Sequence, residues 1–241
     1  MRRATAARAS EKKEGRRTAV YRWEITRAAL AQRVFAIVRS RTYDEASATA
    51  DTLLSAGLTS LEISLTTPFA LEAVTTLSRE LGDDALIGAG TVLDAASARM
   101  AVDAGARFLV APSLDADVIR TGHRYGVPVF AGVATPTEAV RGLELGADAL
   151  TLFPAAGHQP SWIGEVGAAL PQAPLIPAGG VTVESAPRWI AAGAVAVAMG
   201  PSLAEGDRET VAKRVADLLA RLADAVPERE GEADAADPFE D

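Results

Sequence analysis

Short apolar runs alternate with helical stretches along this chain, and that alternation restricts the fold more than any other feature. The runs cover residues 34–39, 60–65, 86–90, 108–111, 127–132, 150–153, 175–178 and 195–199. Each is nearly all apolar rather than alternating, as expected of strands buried on both faces. Thr42-Tyr43-Asp44-Glu45 and Thr135-Pro136-Thr137-Glu138 fit a capping box, the second with proline at the first helical position. Helix ends carry glycine at Gly57, Gly105, Gly146 and Gly193, at intervals of 48, 41 and 47 residues. Each interval holds two strand–helix units, so the pattern is a fourfold βαβα repeat. Eight strands in strict alternation with helices predict an α/β fold, a single (β/α)8 TIM barrel; an open doubly wound sheet is the alternative. A helix over 21–32 precedes the first strand and is expected to cap the barrel's bottom, with Trp23, Thr26 and Leu30 on one face.

The 241 residues suit one such barrel, expected over 21–226. Residues 1–20 are basic, with Arg2, Arg3, Arg8, Lys12, Lys13, Arg16 and Arg17 against Glu11 and Glu14. Residues 227–241 are acidic, with Arg229 as their one cation. Neither stretch has the apolar surface to offset the entropy of ordering, so both are expected to be disordered tails. A net charge of −8 argues against nucleic-acid binding. The absence of cysteine removes disulfides, thiolate nucleophiles and thiolate metal sites, and agrees with a cytoplasmic location. No apolar run approaches the roughly 20 residues of a membrane span, and the N-terminal arginines precede no apolar signal region.

In a parallel barrel the chemistry sits where the strands end at their C-terminal side. After the seventh strand comes Pro177-Ala178-Gly179-Gly180-Val181-Thr182, and after the eighth Met199-Gly200-Pro201-Ser202. These glycines either make tight turns or let backbone amides approach a phosphate, as barrels commonly do at this place. Pro201 withholds one amide from the second loop. Glu62 interrupts an apolar strand and shares a face with Ser64. Burial would raise its pKa and suit it to acid/base work, whereas an ion pair with Arg39 would make it structural. Thr91 follows the small residues Gly88-Ala89-Gly90 and offers a hydroxyl. His123 and His158 have no partners at metal-ligand spacing and are expected on the surface or in loops.

Taken together, Val34-Phe35-Ala36-Ile37-Val38-Arg39, Leu61-Glu62-Ile63, Ile87-Gly88-Ala89-Gly90-Thr91-Val92-Leu93, Ala111-Pro112-Ser113-Leu114, Gly132-Val133-Ala134-Thr135-Pro136-Thr137-Glu138, Leu152-Phe153-Pro154 and Gly179-Gly180-Val181 resemble the KDPG / 4-hydroxy-2-oxoglutarate aldolases. The resemblance runs from about residue 34 to 203. It implies a homotrimeric class I lyase that cleaves 2-keto-3-deoxy-6-phosphogluconate or 4-hydroxy-2-oxoglutarate to pyruvate and an aldehyde. Glu62 would be the proton shuttle, Thr91 a contact for the keto-acid carboxylate, and Arg39 a charge near the substrate. Phe153 would line the substrate site, and Gly179, Gly180 and Gly200, with Ser202 one residue out of step, the phosphate cradle. The family's Schiff-base lysine falls at Thr151, and Thr66 stands where many members have an arginine.

A threonine cannot form the protonated imine that serves as electron sink. Lys12 and Lys13 lie in the basic tail and Lys213 in the last helix, outside the barrel mouth. Three functions follow as alternatives: cleavage by another route, with no cofactor or with a divalent metal held between Glu62 and the substrate; a catalytically inactive binder of a keto acid or sugar-acid phosphate; and an oligomeric scaffold whose charged tails engage partners.

Overall fold

The computed structural model of the protein describes residues 20–225, so both charged tails fall outside the described residues except for Val20. A helix α1 (Arg22–Ala29) leads into β1 (Val34–Val38), α2 (Tyr43–Ser55), β2 (Ser60–Ser64), α3 (Ala70–Leu81) and β3 (Leu86–Gly90). Then follow α4 (Ala95–Asp103), β4 (Leu109–Val110), α5 (Ala116–Arg124), β5 (Val129–Val133), α6 (Pro136–Glu144) and β6 (Ala149–Leu152). The last units are α7 (Ser161–Ala169), β7 (Leu175–Pro177), α8 (Ala186–Ala191), β8 (Val197–Met199) and α9 (Arg208–Asp224). Strands β1 to β7 lie side by side in chain order, all parallel, with β8 beside β1. An Ala178–Ala198 bridge joins β7 to β8, and the Val195 amide donates to the Leu175 carbonyl at 3.0 Å. The ring is closed. The expected (β/α)8 barrel forms, and the open doubly wound sheet is overturned.

Local chemistry sets the helix ends. The Thr42 and Thr135 hydroxyls accept from the amides of Glu45 and Glu138, both at 3.2 Å. Each glutamate returns a bond to the residue before its cap, Glu45 to the Arg41 amide at 3.1 Å and Glu138 to the Ala134 amide at 2.8 Å. The bond from Ala134 holds the Glu138 carboxyl below its ordinary pKa. Gly57, Gly105, Gly146 and Gly193 all take left-handed φ values after their helices, as their spacing implied.

Two apolar layers result from the strands' alternation. Leu61, Ile63, Leu150 and Leu152 face outward into the core between sheet and helices. Ser60, Glu62 and Ser64 on β2, and Ala149 and Thr151 on β6, therefore face the barrel interior. Three phenylalanines floor that interior: Phe35, Phe108 and Phe130, with ring centroids 5.4 to 6.0 Å apart. A Cβ at Gly88 would stand 2.5 Å from the Phe108 ring, so this glycine makes the floor possible.

Helix α1 closes the bottom with part of the expected face: Leu30 packs against the inner cluster, but Trp23 does not. Ile25 and Ala29 are buried, Ala29 against the inner cluster, while Trp23 is 60% exposed. The Arg27 guanidinium lies 5.6 Å from the Trp23 ring, so the indole pairs with its own helix rather than with the barrel. Arg22 anchors the helix through Asp148, 2.7 Å away, at the start of β6. His123 is also not the free surface group expected. Its Nε2 sits 2.9 Å from Asp148 and 2.6 Å from Arg22, and it can donate to the first or accept from the second.

Candidate active site

The strands' C-terminal ends and the loops beyond them bring the expected residues to one mouth. Glu62 is 3% exposed, and its Cα pairs in register with Gly88. Its carboxyl leans one layer further, into the space that a side chain at Gly90 would fill. Glycine at position 90 is thus what lets the carboxyl reach toward the mouth. Burial pushes the Glu62 pKa up to about 8, against a smaller opposing pull from Arg39. Arg39 is itself exposed and makes no ion pair with Glu62 among the described residues. The structural ion pair that sequence left open does not form. Glu62 Oε2 is buried without a hydrogen-bond partner.

Thr151 is also inward and buried, at 2% exposure, and its Oγ1 has no partner. It lies between Gly132 of β5 and Ile176 of β7 in register. Among the described residues the single lysine is Lys213, on the outer helix α9 and paired with Glu209 at 2.7 Å. No amine from the described residues enters the mouth.

Thr91 follows β3 with φ at +58°, a left-handed conformation that is costly for a β-branched residue. Its hydroxyl is 2.9 Å from that of Ser64, which is 2.8 Å from that of Thr66. The alternation that paired Glu62 with Ser64 was readable, but this three-hydroxyl chain depends on the register of β2 against β3. Sequence spacing alone does not supply it.

The β6, β7 and β8 loops form the remaining side. Phe153, 40% exposed, places its ring where a Cβ at Gly179 would stand 3.0 Å away. Gly179 and Gly180 have φ values of +80° and +91°, and a side chain at Gly180 would strike Ala156. The Ala155 and Ala156 amides donate to the Ala178 and Gly179 carbonyls at 2.7 and 2.8 Å, which ties the two loops together. The Gly179 amide faces Ala198 across the β7–β8 bridge, whereas the amides of Gly180, Val181 and Gly200 have no hydrogen-bond acceptor in the turns and loops among the described residues. These are the donors an anion needs. Gly200 differs from the others: its φ is −77° and the space around it is open, so the fold does not require glycine there. Ser202 is exposed in a turn after β8 that Arg214 holds by donating to the Ser202, Leu203 and Glu205 carbonyls. Nothing in the spacing of Arg214 announced that clamp.

No group of three or more His, Cys, Asp or Glu side chains that could hold a metal ion occurs among the described residues. No described helix is long and apolar enough to cross a membrane.

Comparison with known proteins agrees with this architecture. The model of the family "Aldolase: KDPG and KHG aldolase" matches residues 25–218. A 2-dehydro-3-deoxy-6-phosphogalactonate aldolase from Escherichia coli K12 is 35% identical over 196 residues, covering 80% of this chain and 96% of the relative. A solved KDPG aldolase from Legionella pneumophila, described with pyruvate captured as a covalent carbinolamine, is 27% identical with a TM-score of 0.68, covering 85% of this chain and 97% of its own. A porous cage designed by fusing symmetric oligomeric domains contains a chain 35% identical, with a TM-score of 0.74, covering 80% of this chain and 72% of that one. By domain match, identity and coverage alike, the chain belongs to the KDPG and KHG aldolase family.

Proposed function

We propose that this protein binds a 2-keto acid or a sugar-acid phosphate in the barrel mouth without forming an imine, and turns it over slowly or not at all. One observation carries the reading: Glu62 and Thr151 are buried, inward and unpartnered, in a mouth that no amine from the described residues enters. A carbinolamine such as that described for the Legionella relative requires an amine on the protein. Thr151 offers a hydroxyl instead. Glu62 can still hold or move a proton, but without an imine to take up the electron pair the barrier to carbon–carbon cleavage stays high.

Support for the phosphate end of the ligand comes from the amides of Gly180, Val181 and Gly200, which no loop acceptor takes up. These backbone dipoles would supply hydrogen-bond donors to the anion. The relative named as a phosphogalactonate aldolase makes a six-carbon 2-keto-3-deoxy sugar-acid phosphate the first ligand to try. A homotrimer is part of the same proposal. The oligomeric domains of the related cage support association, as do Phe69 and Leu93, 66% and 56% exposed after the adjoining strands β2 and β3.

The test is thermal stabilisation by the sugar-acid phosphate together with a coupled assay for released pyruvate. We expect a rise in Tm that Gly180→Val abolishes, with pyruvate release at least 1,000-fold below that of the E. coli relative, about 4 kcal/mol of barrier. Release at a rate comparable to that relative would overturn the reading.

A further inference from the structure

We infer that the Thr151 hydroxyl is a ligand-binding group, which anchors the carbonyl oxygen of a short 2-keto acid by a hydrogen bond where a covalent link would otherwise form. This rests on the proposal that the mouth binds a keto acid and adds which group holds the carbonyl. Thr151 Oγ1 is buried and satisfies no neighbour. A buried hydroxyl without a partner is unfavourable, and a threonine in a strand has valine as a nearly isosteric alternative that avoids the cost. The adjoining strand positions are Gly132 and Ile176, and neither side chain can accept a hydrogen bond. The adjoining strand positions supply no acceptor, which leaves that place to a molecule that enters the barrel.

Two further features define that acceptor. Glu62 Oε2 is a second buried atom without a partner, as is Ser60 Oγ earlier on the same strand, and Glu62 and Thr151 both occupy inward-facing strand positions. In its neutral form Glu62 is a second O–H donor, and burial favours that form. The chain of Thr66, Ser64 and Thr91 holds three hydroxyl protons but uses two in its own bonds, which leaves one to donate outward. Neutral donors in the interior suit an uncharged carbonyl oxygen, and a spare hydroxyl near the rim suits a carboxylate oxygen. A ketone beside a carboxylate presents both within three bonds. An aldehyde or a simple phosphate presents only one.

The experiment titrates the full chain with [2-13C]pyruvate and follows binding by ligand-observed NMR, comparing wild type with Thr151→Val, Thr151→Ala and Thr151→Ser. The bound C2 resonance should remain that of a ketone. Both hydroxyl-free variants should weaken binding about tenfold, while Thr151→Ser stays within about threefold. Urea midpoints should be unchanged or higher in Thr151→Val, since that variant removes an orphaned polar group and keeps the volume. Equal affinity in wild type, valine and alanine variants would overturn the inference and leave keto-acid binding standing. A midpoint that falls in Thr151→Val while affinity holds would show a structural role and overturn it as well. No binding by wild type would overturn the proposed function, and this inference with it.

Discussion

Glu62 carries a pH-dependent cost that a measurement can isolate. Its pKa rises from an ordinary 4.5 to about 8 because burial disfavours the carboxylate. The unfolded chain releases this proton near pH 4.5, while the folded chain keeps it until about pH 8. The group's contribution to stability is therefore complete below the lower value and is lost as pH climbs to the upper one. Relative to Glu62→Gln, wild type should lose on the order of 1 kcal/mol per pH unit across that window and then level off. Urea unfolding of both proteins at half-unit pH steps measures this; a flat difference would mean that the carboxyl is ionised in the fold. Much at this scale was legible: a glutamate among apolar residues identified itself, and Thr151 is found inward and buried on β6. Gly90 was legible only as a small residue. Its purpose, to leave room for a carboxyl from the neighbouring strand, appears once the two strands are paired. The left-handed backbone at Thr91 and its bond to Ser64 were hidden for the same reason.

At the scale of single elements, the helix starts were the most readable. Ser/Thr caps followed three residues later by glutamate need only local geometry, and both expected boxes bond through the threonine hydroxyl. Thr135→Ala should accordingly lower stability by about 1 kcal/mol, read as a shift in urea midpoint at constant slope. An unchanged midpoint would show that the proline at the first helical position suffices. Strand ends moved by a residue or two, because a strand's limits follow its neighbours' pairing rather than its own composition. Helix α1 shows the limit more sharply. Its sequence holds two stripes at helical spacing, Trp23/Thr26/Leu30 and Ile25/Ala29, and hydrophobicity favours the one with tryptophan. The barrel bottom takes Leu30 from the first stripe and Ala29 from the second and leaves Trp23 exposed, as Arg22 reaches Asp148 and small Ala29 fits beneath the phenylalanine floor.

For the whole molecule, closure places every inward side chain in one shared space and so makes a floor and a mouth of it. Phe108→Ala should cost 3–5 kcal/mol, of the order expected for emptying a large buried side chain, and should disturb the mouth above it. Equilibrium unfolding checks the first effect, and loss of ligand-induced stabilisation the second. The repeat of glycine-ended helices made eight units and a closed barrel readable in advance, whereas no repeat or charge pattern specifies an assembly state. The central claim is that this mouth holds its keto acid without a covalent bond. Its most direct test incubates the full chain with pyruvate and borohydride, at concentrations where NMR shows binding, and weighs the intact protein. The account predicts no added mass on wild type; a reduced pyruvyl adduct on Lys12, Lys13 or Lys213 would contradict it.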